Sequence, residues 1–161
     1  MIFITTGSRN FQFNRLLKAV DEAVSEGKIQ DKVFAQIGAS DYKIQNYGYT
    51  EFMNHDEFNQ QIYNCDIVVT HGGTGVIVNS VKAGKHVVAV PRLPLYGEVV
   101  DEHQIELIKV FEKLDMVVPC YDCTSKGIAE AIQNAKQREM RTYISNTNVI
   151  ISSIDDFIIS R

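Results

Sequence analysis

Runs of basic residues, long apolar stretches and clustered metal ligands are all missing from this chain. No stretch approaches the roughly 18 apolar residues that a membrane-spanning helix needs. The amino-terminal MIFITTGSRNF carries no positive leader, and its apolar run ends at Ile4, so it does not read as a secretion signal. These absences predict a cytoplasmic chain whose contact with any membrane comes through a partner. Sixteen Lys and Arg stand against 20 Asp and Glu, for a formal net charge of −4, and the basic residues are scattered. Nucleic-acid binders show a basic face, so this balance argues against nucleic acid as a partner.

Cysteine is scarce: Cys65, Cys120 and Cys123 are the three present. An odd count without a secretion signal predicts reduced thiols. Cys120-Tyr-Asp-Cys123 has the spacing of a redox motif, and equally that of a chance pair in a loop. A structural zinc site needs four ligands. Beyond that pair there remain Cys65 and four dispersed histidines, none at paired spacing. No Asp-x-Asp motif occurs either. The expectation is therefore no metal and no cofactor.

What is present is a regular alternation. With 161 residues and 45% hydrophobic content, one domain with a sizeable core is expected. Short β-branched runs at 2–5, 32–37, 66–70, 86–90 and 116–119 predict strands, with a mixed one at 43–49. Between them, apolar residues at helical spacing predict helices over 14–26, 55–64 and 74–83. Further stripes run through Leu107, Ile108, Phe111 and Leu114, and through Ile128, Ala131, Ile132 and Ala135. Thr124 or Ser125 would cap the last. Alternating strands and helices predict an α/β chain, a single Rossmann-like, doubly wound parallel sheet. Residues 141–161 are apolar and β-branched, and periodicity does not decide between helix and strand.

Ligands in such sheets bind beyond the carboxyl ends of the strands. The densest loop there is His71-Gly72-Gly73-Thr74-Gly75, where a buried strand meets a helix. A helix start offers unpaired N–H groups and a positive dipole end, and glycine lets a phosphate approach. Thr74 adds a hydroxyl. The dinucleotide fingerprint fails because Val78 stands where its third glycine belongs, and a P-loop fails because Val76-Ile77 replaces Lys-Ser/Thr. Thr6-Gly7-Ser8 follows the first strand and could close on the same ligand, or be a turn. In Asp101-Glu102-His103-Gln104, acids at a helix start have a capping explanation. Gln104 and Glu102 also suit sugar hydroxyls.

Those loops together resemble the C-terminal, donor-binding domain of family 28 GT-B glycosyltransferases. Tyr49-Thr-Glu-Phe-Met53 resembles that family's base-binding loop. Asn64-Cys-Asp-Ile-Val-Val-Thr-His-Gly-Gly-Thr-Gly75 resembles its diphosphate turn, and Asp101–Ile108 its sugar loop. Four loops agree in order and spacing over most of residues 1–135. The chain has the length of one half of a GT-B enzyme. It resembles the separate donor subunits of bacterial capsule and exopolysaccharide synthesis, often β-1,4-galactosyltransferases, and of the eukaryotic UDP-N-acetylglucosamine transferase.

The resemblance implies a role for each position. Phe52 and Met53 would lie against uracil; Gly72, Gly73, Thr74 and Gly75 would bind the diphosphate, with Gly7 and Ser8 opposite. Gln104, with His103 and Glu102, would hold the donor sugar. The family has an acid contacting ribose where this chain has Asn79. His71 would donate to phosphate or sugar, with a catalytic role open, or be a strand-end residue satisfied by backbone. The partners implied are a UDP-sugar, a lipid-linked saccharide acceptor and a membrane-anchored, acceptor-binding subunit that supplies the general base. Residues 141–161 would dock that subunit or fold back on their own domain. A non-catalytic, regulatory or nucleotide-sugar-binding subunit is the rival reading.

Overall fold

The computed structural model describes residues 1–100 and 103–139. Among the described residues six strands and five helices alternate, except that the second and third strands follow one another without a helix. They run β1 Ile2–Thr5, α1 Asn14–Ser25, β2 Val33–Gln36, β3 Gly48–Thr50, α2 His55–Asn64, β4 Ile67–Thr70, α3 Thr74–Lys82, β5 His86–Ala89, α4 His103–Lys113, β6 Val118–Pro119 and α5 Ser125–Gln137. A single 3-10 turn, Pro94–Tyr96, interrupts the loop after β5.

All strand pairs are parallel, and the order across the sheet is β3-β2-β1-β4-β5-β6. That is the doubly wound order. Its inner strands are buried on both faces, which is why IFIT, IVVT and HVVA read as continuous apolar runs. Ile2, Ile4, Val69 and Val88 face one core with Leu16, Leu17 and Val20 of α1 and Ile128, Ile132 and Ala135 of α5. On the other face, Phe3 and Val68 pack against Ile62 of α2, while Val87 and Ala89 meet Ile77, Val81, Ile108 and Phe111 of α3 and α4. The helix after β1 covers one face and the helix after β4 the other. The chain therefore diverges between the ends of β1 and β4, and a crevice opens there.

The expected strand over 43–49 is corrected to Gly48–Thr50. The residues before it cannot join the ladder because their N–H groups are already engaged. Asp21, 3% exposed on α1, accepts hydrogen bonds from the backbone N–H of Gln45 and Asn46, from Asn46 Nδ2 and from the Tyr42 hydroxyl. Burial, with the Asp21 carboxylate beside it, raises the Tyr42 pKa. The strap continues where the Tyr47 hydroxyl donates to the Leu17 carbonyl at 3.0 Å. Other elements match closely. Thr124 caps α5 by accepting from the Gly127 N–H at 3.1 Å. Cys65, Cys120 and Cys123 are free thiols. Burial pushes the Cys120 and Cys123 thiols up to about 12, which leaves them unreactive at neutral pH. Residues 140–161, which include the expected docking tail, lie outside the described residues.

Replacing Asp21 by Ala removes the buried acceptor of two backbone N–H groups, an amide and a hydroxyl. The expected loss is roughly 2–3 kcal/mol, read as a lower midpoint in urea denaturation, with Asp21→Asn retaining part of it.

Candidate functional site

A cleft of about 430 Å³ lies over the divergence of β1 and β4. That volume suits a small organic ligand. One end is built by Gly7, Ser8 and Arg9 from the loop after β1 and by His71, Gly73 and Gly75 from the turn after β4. The other end is apolar, with Phe52 and Met53 after β3, Phe58 of α2 and Val76 of α3 around Gln36. Two loops that the sequence placed far apart thus share one cavity.

The glycines of the second turn are not equivalent. A Cβ on Gly72 would come within 2.9 Å of the Gln104 Cβ and 3.1 Å of its carbonyl oxygen. A Cβ on Gly73 or Gly7 would come within 2.4 or 2.5 Å of the His71 ring. The fold itself demands these three. Gly75 differs: a Cβ there meets nothing within 4 Å, although the residue lines the cleft. Helix α3 begins here without a side-chain cap, whereas Asn54 caps α2 by accepting from Asp56 and Glu57. The first amides of α3 are therefore open to an anion.

His71 is wedged between Gly7 and Gly73, with Nδ1 3.3 Å from the Thr70 hydroxyl. Burial, reinforced by the charges of Arg92 and Arg9, pushes its pKa down to about 4. At neutral pH the ring is uncharged. It lines the cleft as a hydrogen-bonding group and braces the strand end as well.

Arg92, 2% exposed, ties the loops together. Its guanidinium donates to the carbonyls of Phe11 and Glu98 at 3.0 Å each, and to that of Thr6. It stacks 5.2 Å from the Phe13 ring centroid. Burial lowers its pKa to about 10, with the Glu98 carboxylate acting the other way. Glu98 is fully buried and takes a two-pronged bond from Arg15, at 3.0 and 2.8 Å, and the Leu93 N–H at 2.9 Å. Gln104 extends the lacing. Its side-chain oxygen accepts from the N–H groups of Gly72 at 3.3 Å and Arg92 at 3.1 Å. Only its Nε2 is left to face a ligand.

The remaining expected residues are more dispersed. Thr74 is exposed at the start of α3. His103 is exposed, 3.7 Å from Glu106. Asn79 lines a separate groove of about 300 Å³ with Tyr63 and Lys82; His55 borders both cavities. Glu102 lies outside the described residues. Arg9, Gln36, Arg92 and Glu98 were not anticipated. Arg9 follows Gly7-Ser8 directly, and its guanidinium has no hydrogen bond or ion pair among the described residues. It lowers the pKa of both His71 and Arg92, so a positive field gathers at the crevice of an acidic protein.

Residues 1–160 match the model of one family, the glycosyltransferase family 28 C-terminal domain. The chain belongs to that family. It is 23% identical over 113 residues to the UDP-N-acetylglucosamine transferase subunit ALG13 of Candida albicans, covering 70% of this chain and 34% of the relative. Among solved structures it resembles the calicheamicin glycosyltransferase CalG4, with a TM-score of 0.59, 16% identity, and coverage of 83% of this chain and 34% of that one. It also resembles MurG of Acinetobacter baumannii, with a TM-score of 0.55, 18% identity, and coverage of 86% and 45%. The fold is that of one half of a GT-B glycosyltransferase. The chain spans about a third of the curated relative, 34% of its length.

His71 yields a pH test. Its folded pKa lies below the ordinary 6.5, so the unfolded chain takes up the proton first as pH falls. Stability is then lost between about pH 6.5 and pH 4, by roughly 2–3 kcal/mol. Thermal melts across that range should fall more steeply for the unaltered chain than for His71→Gln.

Proposed function

We propose that this chain is the donor-binding subunit of an inverting, UDP-sugar-dependent glycosyltransferase. It transfers a hexose, galactose or N-acetylglucosamine, to a lipid-linked saccharide in capsule or exopolysaccharide synthesis. A membrane-anchored partner holds the acceptor and the general base, and keeps this chain at the inner face of the membrane. The observation that carries this reading is the uncapped start of α3 beside Gly75, open to a ligand and facing Gly7, Ser8 and Arg9 across the cleft.

The acceptor hydroxyl attacks the anomeric carbon as the nucleoside diphosphate departs. The charge that develops on the leaving oxygens is met by fixed amide dipoles and a cation, which need no reorganisation. Here those are the first amides of α3 and Arg9, unpaired among the described residues. His71, neutral at pH 7, serves as a hydrogen-bond partner rather than a counter-charge. With its pKa near 4 it is a weak base, which fits a general base on the partner. Gln104 can offer Nε2 to a sugar hydroxyl. The name of the Candida albicans relative, a UDP-N-acetylglucosamine transferase subunit, supports both the donor class and the division of labour. The second reading is a non-catalytic subunit that binds nucleotide sugar and regulates its partner. It is favoured by Asn79, an uncharged residue set apart from the main cleft.

Co-expression with the neighbouring membrane subunit, followed by assays with UDP-galactose and UDP-N-acetylglucosamine, separates the two readings. Product from either donor supports the enzyme; binding without product supports the regulator. Gly75→Ala fills empty space on a helix, so stability should hold or rise by about 0.5 kcal/mol. UDP affinity should nevertheless fall about tenfold, roughly 1.4 kcal/mol. Arg9→Ala should weaken UDP more than uridine, as titration calorimetry would record. Equal losses for both ligands would remove Arg9 from the phosphate end.

A further inference from the structure

We propose that Gln36 selects the nucleobase, donating from Nε2 to the 4-carbonyl oxygen of uracil and rejecting the 4-amino group of cytosine. This rests on the nucleotide-sugar reading above. Gln36 is the last residue of β2, paired in register with Thr5 of β1 and Thr50 of β3. It is 5% exposed, yet it lines the cleft at its apolar end. Its Oε1 accepts the Met53 N–H at 3.2 Å.

That bond fixes which way the amide points. A backbone N–H can be matched only by the amide oxygen, so Nε2 is the remaining group. Nε2 has no hydrogen-bond partner among the described residues, and it is not one of the atoms sealed from solvent. Nε2 thus reaches the cleft with two donors that no described protein group uses, and a ligand acceptor can take one in place of water.

The surroundings say which part of a nucleotide arrives there. Phe52, 54% exposed, stands with Met53 and Phe58 at this end and offers an apolar wall for a flat ring. The glycine turns and Arg9 follow β1 and β4, where the diphosphate would lie, whereas the Gln36 side chain is turned the other way, toward Met53 after β3. Gln36 therefore meets the base rather than the phosphates. With its oxygen turned to Met53, the amide presents the donor Nε2 to the cleft. Uracil presents an acceptor at position 4, and cytosine presents a donor there. Two donors facing each other leave both unsatisfied once the bound ring displaces water, which is the kind of mismatch that discriminates strongly.

UDP and CDP share ribose and diphosphate, so the ratio of their affinities isolates the base. Titration of the full chain should show UDP preferred by roughly tenfold or more. Gln36→Glu keeps an oxygen for Met53 and places an acceptor where Nε2 stood. The UDP:CDP ratio should then fall by roughly tenfold or more, with CDP equal or favoured. Should that variant fail to fold, Gln36→Met removes the donor at similar volume and should bring the two nucleotides within about twofold. An unchanged ratio in a folded variant, or no preference in the unaltered chain, overturns the role of Gln36 and leaves the donor reading standing. Absence of binding by either nucleotide overturns both.

Discussion

A fully buried Glu98 holds this molecule's working face together, its carboxylate pairing with Arg15 and its backbone carbonyl accepting from Arg92. Glu98 lies in a loop with no regular partner, and Arg15 and Arg92 come from a helix and a strand end far apart in sequence. Buried ion pairs contribute little to net stability, because desolvation offsets the attraction. Their value here is geometric. Arg92 reaches three backbone carbonyls, two of them in the loop after β1, and so fixes where Gly7 to Arg9 stand. Gln104 then joins the turn after β4 to the same assembly. Remove the buried charges and the two walls of the crevice lose their common reference.

That arrangement explains a division among the glycines. Three of them, Gly7, Gly72 and Gly73, exist for neighbours within the chain, because His71 and Gln104 approach too closely for any Cβ. The fourth, Gly75, has no such neighbour. A glycine that packing does not require is better evidence of a ligand than one it does. The turn therefore has two layers: an inner one that closes the fold, and an outer one that faces the cleft.

The sheet was legible because a parallel strand buried on both faces is a continuous apolar run, and each such run was bounded by a glycine or a proline. Residues 43–47 were misleading for a physical reason. Ile44 and Tyr47 imitate a strand, but Asp21 takes the backbone donors that a ladder would need. The glycine-walled part of the cleft was legible in Gly7, Ser8, Gly73 and Gly75, whose small side chains permit close approach. Arg9 sat one residue beyond a recognised turn, and its significance is electrostatic, set by what does not pair with it. Gln36 and Arg92 were hidden more deeply. Each is a polar residue at the end of an apolar strand, and only the fold reveals which of its atoms are engaged.

The two margins of the sheet have a consequence of their own. Among the described residues one margin is the three-residue β3 and the other the two-residue β6, which ends on Pro119 and so lacks a backbone donor there. Margins this short give a neighbouring chain almost no template for strand addition. Copies of the protein are thereby discouraged from zipping together edge to edge, and recognition of another chain is left to side chains and shape.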